Sequence, residues 1–225
     1  MSDHYKDGHG MDHMERALWL GDAFAIAEGA DRHIVKLAIL LHDVDDYKIV
    51  GLKNSAGLPN ARAILQQAGV DDATQAKVLD IIGTMGYGNF LKGIRPATLE
   101  GAIVSDADMC DAIGANGIIR TYAYSSSKGK PFFNKNIFPI EDFSAADAYT
   151  KEAADSSVSH FFEKLLKLKN LMLTPSGKRE AIQRHEMMVA FLRQLFIEEN
   201  TPEWTVYLEK YLKTENKKEA DRQTT

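Results

Sequence analysis

Cysteine is nearly absent from this chain: Cys110 is the single one in 225 residues. No intramolecular disulfide can form, which fits a reducing compartment. Cys110 stands between Met109 and Asp111 in a helix-like segment and reads as a small packing residue rather than a nucleophile. Long apolar runs are missing as well. None could span a bilayer, and the opening Met1-Ser2-Asp3-His4-Tyr5-Lys6 has no apolar leader, so a cytoplasmic protein off the membrane is expected. Positive charge is not in excess, with 27 Lys and Arg against 32 Asp and Glu and a net charge of −5. That balance argues against a stable nucleic-acid complex but leaves room for a local basic pocket around a phosphate ligand. Neither β-alternation nor an internal repeat is found.

What is present is helical periodicity in an ordinary globular composition, 44% hydrophobic and 26% charged. The chain is long enough to bury a substantial core. Asp12 opens a helix expected to reach about Ala27, with Gly29 past its end. Asp31 caps a second, on which Ile34, Leu37, Ala38 and Leu41 share a face. Residues 44–60 carry Asp45, Asp46, Gly51, Asn54, Ser55, Gly57 and Pro59 and read as a loop. Helices follow over 61–68 and 72–84, then a segment opened by Pro96 leads through Asp106 towards Tyr122. Residues 125–143 read as a long surface loop, 145–173 and 176–199 as two long helices, and 213–225 as a charged, frayed tail. The expected fold is all-α: one domain over 1–212, an irregular bundle with a core over 9–125 and C-terminal helices over 145–212.

The most informative residues are His42 and Asp43, which end the apolar run Ile34 to Leu41. A buried imidazole beside a carboxylate is usually paired or bound to metal. His13 lies upstream in Asp12-His13-Met14-Glu15-Arg16, and Asp106 downstream in Ser105-Asp106-Ala107-Asp108. Together these two imidazoles and two carboxylates could converge on one divalent cation, leaving coordination positions for water and substrate. A polar network inside a helical core is the alternative.

The order H…HD…D on an all-helical chain resembles the HD-domain metal-dependent phosphohydrolase superfamily. Gly10-Met11-Asp12-His13-Met14-Glu15-Arg16, Leu40-Leu41-His42-Asp43 and Asp106-Ala107-Asp108-Met109-Cys110-Asp111-Ala112-Ile113-Gly114-Ala115 are similar to its small bacterial branch, which includes nucleotide pyrophosphohydrolases. The likeness runs over roughly residues 9 to 195. It implies an HD-type bundle and a metal held by His13, His42, Asp43 and Asp106. The ion would be one divalent transition metal, from Mn, Ni, Co, Fe or Zn, with Mg also open. No histidine stands between His42 and His160, so the extra ligands of multinuclear relatives are missing and one ion is expected.

Such an ion lowers the pKa of a bound water and neutralises phosphate charge. A carboxylate beside that water could act as general base: Asp46 is the first candidate, Asp45 the rival, with a solvated acidic turn as the alternative. Asp43 is expected to serve the chemistry as well as the metal. Arg16, one helical turn from His13, and Lys48 are candidate substrate cations, either of which could equally be solvated. Lys164, Lys167 and Lys169 suit a solvated face better. Tyr87, Phe90, Tyr122 and Tyr124 could stack on a base, though aromatics at such spacing are more often core. His9 and His33 read as surface or supporting residues, His160 and His185 as structural.

The expected function is hydrolysis of a phosphoester or phosphoanhydride bond in a small nucleotide, first of all pyrophosphate release from a nucleoside triphosphate. The alternatives are a 5′-monophosphate phosphatase, a non-catalytic metal-containing module that binds nucleotide, and a di-iron oxygenase of the same superfamily. Oligomeric state stays open, a dimer included.

Overall fold

The computed structural model describes residues 11–46, 50–55, 57–139 and 155–223, and all regular structure among them is helical. Helix α1 spans Met11–Glu28 and α2 spans Arg32–Leu41. Asp31 starts α2 as read from the sequence, its carboxylate accepting from the backbone of His33 at 2.9 Å and Ile34 at 3.3 Å. The two helices pack closely because Gly21 faces Ile39: any Cβ at Gly21 would lie far inside contact distance of the isoleucine δ-methyl. This contact brings the start of α1 alongside the end of α2, and hence His13 towards His42.

The expected loop 44–60 carries a short helix, α3 (Leu52–Ser55), and then α4 (Pro59–Gln67) and α5 (Asp72–Thr84) follow. A one-turn α6 (Tyr87–Leu91) leads to α7 (Leu99–Asp111) and α8 (Gly114–Ser127). Helix α7 is buried on nearly every side, from Gly101 to Asp111, and packs on α1, α2 and α5. Cys110 is fully buried on it, its Sγ 3.9 Å from Met172 Sδ.

The C-terminal half departs from expectation in two places. A single helix over 145–173 is not formed: residues 145–154 lie outside the described residues, and beyond them stand α9 (Ser157–Glu163) and a 3₁₀ helix (Leu165–Leu171). Lys164, at φ −135° and ψ −60°, marks the break. No Pro or Gly causes it. The tighter 3₁₀ winding lines up Leu165 and Leu168 on one edge, both buried, and the segment packs on α9 and on the long helix Pro175–Glu198. The second place is the charged tail, which is helical as part of α11 (Pro202–Gln223). Arg193–Glu209 at 2.8 Å and a Lys169–Asn216 hydrogen bond at 3.4 Å tie that helix down.

Helix α10 (Pro175–Glu198) joins the halves, touching α1, α7 and α8 as well as α11. An aromatic cluster around fully buried Trp204, including Phe133, Phe138, Phe162 and Phe196, seats α11 and the segment after α8. Among the described residues no helix is long and apolar enough to cross a membrane.

Candidate metal centre

His13, on the first turns of α1, is 2% exposed. His42 follows the last residue of α2, and Asp43 begins the turn beyond it, closed by Val44 N–H to Leu41 O at 3.3 Å and Asp46 N–H to Asp43 O at 3.1 Å. The two imidazoles meet edge to face, and their Nε2 atoms lie 3.3 Å apart. Asp43 sits 3.3 Å from His42 Nε2 and 3.7 Å from His13 Nε2. A second carboxylate completes the group, and it belongs to Asp108: its Oδ1 is 3.5 Å from His13 Nε2 and 3.7 Å from His42 Nε2.

Asp106 is not there. Expected as a ligand, it lies on the opposite side of α7, because two helical residues are separated by about 200° of rotation. Its Oδ1 accepts from Leu173 N–H at 2.9 Å, and its Oδ2 from Thr174 N–H at 2.8 Å and Thr174 Oγ1 at 2.7 Å. The side chain thus holds the chain entering α10, where Gly177 leaves just enough space for it. Burial pushes the Asp106 carboxyl up, against the pull of those hydrogen bonds.

The hydrogen bonds on the far side of each imidazole decide what the near side can do. His13 Nδ1 faces the Asp111 carboxylate at 2.7 Å, and His42 Nδ1 faces the Ile39 carbonyl at 2.7 Å. Both partners are acceptors, so each neutral ring carries its proton on Nδ1 and turns a bare Nε2 lone pair inward. Two lone pairs and two carboxylates then face one another, an arrangement that a cation among them would stabilise. Donor separations of 3.3–3.7 Å match what an ion at about 2.1 Å from each donor requires, about 3.0 Å between octahedral neighbours and about 3.4 Å between tetrahedral ones. Among the described residues, His13, His42 and Asp108 are the group whose ligand atoms gather within 4.8 Å, with Asp43 against both histidines. Burial lowers the His42 pKa, but the negative charges of Asp108 and Asp43 outweigh it and raise the net value.

Asp111 was not foreseen as a functional residue. It is fully buried at the end of α7, one turn beyond Asp108 on the same face. Arg16 donates to it from Nε at 2.6 Å and Nη2 at 3.1 Å, and Arg120 on α8 donates from Nη1 to the same carboxylate and, at 3.1 Å, to the Asp111 carbonyl. Burial would raise this carboxyl, yet His13, Arg16 and Arg120 hold it well below the usual carboxylate range. Arg16 therefore stands beside the centre with one edge of its guanidinium on Asp111.

Geometry also separates the two acidic candidates that follow Asp43. Asp45 is buried and accepts from Asn60 N–H at 3.2 Å, Asn60 Nδ2 at 2.8 Å and Ala61 N–H at 2.9 Å, so it caps α4. Asp46 is half-buried and near enough to His42 for its charge to raise the imidazole pKa. Lys48 and His9 lie outside the described residues. His33 is exposed and His160 half-buried. His185 is buried on α10, where burial, helped by the charge of Lys169, depresses its pKa to about 4. Lys164 lies over the Tyr87 ring at 5.0 Å, and Tyr122 and Tyr124 are exposed on α8.

No family model matches the sequence. Individual relatives do. The uncharacterized protein YpgQ of Bacillus subtilis (strain 168) is 33% identical over 193 residues, covering 84% of this chain and 83% of YpgQ. A solved HD-superfamily hydrolase from Bacillus thuringiensis is 34% identical, with a TM-score of 0.67 over 85% of this chain and 87% of that one. A Lactobacillus plantarum protein of known structure is 32% identical, with a TM-score of 0.71 over 90% of this chain and 91% of its own. The structure of YpgQ has also been determined in complex with ADP, and superposes with a TM-score of 0.68. The chain belongs to the HD superfamily of hydrolases, and its His13, His42 and Asp108 form a group that could hold a metal ion.

Proposed function

We propose that this hydrolase cleaves a phosphoanhydride bond in a small nucleotide, releasing pyrophosphate from a nucleoside triphosphate. The observation that carries the reading is the inward-facing set of two imidazole nitrogens and two carboxylates, a donor set suited to a divalent cation. His13, His42, Asp43 and Asp108 hold that cation, so Asp108 takes the place first given to Asp106. The ion is a transition metal of the manganese-to-zinc series, suited to mixed imidazole and carboxylate donors. When bound, it makes a water acidic and neutralises charge on phosphate oxygens.

The chain supplies the remaining steps. Asp46 takes the proton of the attacking water at a carboxylate oxygen, while Asp45 is kept from that role by its three hydrogen bonds to α4. Arg16 and Arg120 put two positive charges against one buried carboxylate, leaving a positive surplus beside the centre for a polyphosphate. A nucleotide substrate is supported by the relative YpgQ, whose structure holds ADP.

The test is a panel of nucleoside mono-, di- and triphosphates with Mn²⁺, Ni²⁺, Co²⁺ or Mg²⁺, resolving pyrophosphate from orthophosphate. Pyrophosphate from triphosphates is expected. Orthophosphate from monophosphates alone would move the activity to 5′-nucleotide hydrolysis, and metal uptake without turnover on any member would make the chain a nucleotide-binding module.

A further inference from the structure

Asp111 lies outside the donor set, yet it is the most heavily bonded carboxylate near it. Three donors converge on its Oδ2: His13 Nδ1, Arg16 Nη2 and Arg120 Nη1; Oδ1 takes Arg16 Nε at 2.6 Å. The residue is fully buried, so no water competes for these bonds. Two guanidinium groups already balance the charge of this one carboxylate. What the arrangement supplies is geometry. Asp111 can only accept, so it selects the His13 ring form with hydrogen on Nδ1 and aims Nε2 at the centre. Arg120 also grips the carbonyl that ends α7, where a cation is favoured by the helix dipole, so the carboxylate cannot swing away.

We propose that Asp111 is the positioning residue of the metal centre, holding His13 in its ligating form, and that Arg16 and Arg120 lock it in place. This rests on the metal-site reading above. Three residues from α1, α7 and α8 thereby set the orientation of one ligand. Arg16 consequently acts on metal binding as well as on phosphate, which a pure substrate clamp would not do.

Asp111→Leu tests this sharply. Leucine is close to aspartate in shape and has no acceptor, so His13 Nδ1 loses the oxygen that selects its ring form. Arg120 Nη1, 3.4 Å from His13 Nδ1, can only donate, so the His13 proton is expected to shift from Nδ1 to Nε2, pointing into the centre. Two measurements follow, both independent of turnover. Free Mn²⁺ is titrated by electron paramagnetic resonance to obtain the Mn²⁺ dissociation constant, and ¹⁵N-resolved spectra of the metal-free protein identify the His13 ring form. Mn²⁺ affinity should fall by about 10–100-fold, as for the loss of other groups that orient metal ligands, and the His13 ring form should change. A folded Asp111→Leu protein with the same ring form and an affinity within about twofold of wild type would overturn the role.

Should Asp111→Leu not fold, Arg16→Gln and Arg120→Gln each remove one lock and leave the carboxylate in place. Weakening of Mn²⁺ by about 3–10-fold in each is expected, and full affinity in both would overturn the proposal. A wild-type chain that takes up no Mn²⁺, Ni²⁺ or Co²⁺ would instead remove the metal-site reading itself. Wild-type binding that survives unchanged in the variants removes only the part given to Asp111.

Discussion

Asp106 and Asp108 are two residues apart and chemically identical, yet their removal should do opposite things. Asp106→Ala leaves the buried backbone N–H of Thr174 and the half-buried one of Leu173 without their acceptor, and takes the partner from Thr174 Oγ1. Each orphaned group costs about 1–3 kcal/mol. Removing a carboxylate whose burial is itself unfavourable returns part of that, for a net loss of roughly 2–4 kcal/mol. For a chain of this length the melting temperature should fall by about 4–16 °C. Metal content at low temperature should hold, because Asp106 faces away from the centre. Asp108→Ala removes a carboxylate whose side chain is 30% exposed and which faces another carboxylate and two lone pairs. Without metal its melting temperature should match or exceed wild type, while bound metal and turnover collapse. Thermal unfolding of metal-free protein and metal per chain after equilibration with a small excess of Mn²⁺ measure both. If Asp106→Ala loses metal while Asp108→Ala keeps it, the assignment of the two faces of α7 is wrong.

Asp46→Asn should keep metal content and lose about 10²–10⁴-fold in kcat, the range for a removed general base. Asp45→Asn should instead lower stability through the start of α4, and a kcat loss confined to it would shift the role. Gly177→Ala should destabilise as Asp106→Ala does, since its methyl would occupy the space of the Asp106 carboxylate; unchanged melting would refute that packing. His185 yields a pH prediction. Its pKa is about 4 in the fold against 6.5 unfolded, so below pH 6.5 the unfolded chain binds a proton that the folded one refuses. Its stabilising effect is complete above pH 6.5 and drains away as pH falls towards 4, to a limit on the order of 3 kcal/mol. The urea midpoint of wild type should fall relative to that of His185→Gln as pH drops from 7.5 to 4.5, and parallel curves would refute the shift.

The parts of this centre that sequence could reach were those that a local pattern orients. His42 and Asp43 close a helix with one clear apolar face, so their burial followed from Ile34, Ala38 and Leu41. Helix α7 gave no such guide. It is buried from Gly101 to Asp111 with hardly a break, so its apolar residues point every way and cannot say which aspartate turns towards His13. Only its packing against α1 and α10 decides. Asp111 did carry a usable signal, standing three positions after Asp108 and hence on its face, but that signal depends on choosing Asp108 first. The break at Lys164 was unreadable for a different reason. Phe161, Phe162, Leu165, Leu166 and Leu168 suit an α-helix as well as the observed turn, and contact with α10 selects the tighter form.

The lone thiol of Cys110 lies one residue before Asp111 and two after Asp108, fully buried, with burial holding its pKa far above the ordinary thiol value. In the closed fold it is neither ionised nor reachable. A thiol reagent can therefore mark this chain only when α7 has come away from its neighbours, and with one cysteine in the sequence every label reports the same event. The helix that carries Asp108 thus contains its own clock. The labelling rate, followed with and without Mn²⁺, reads how often that helix opens and how far the ion keeps it shut.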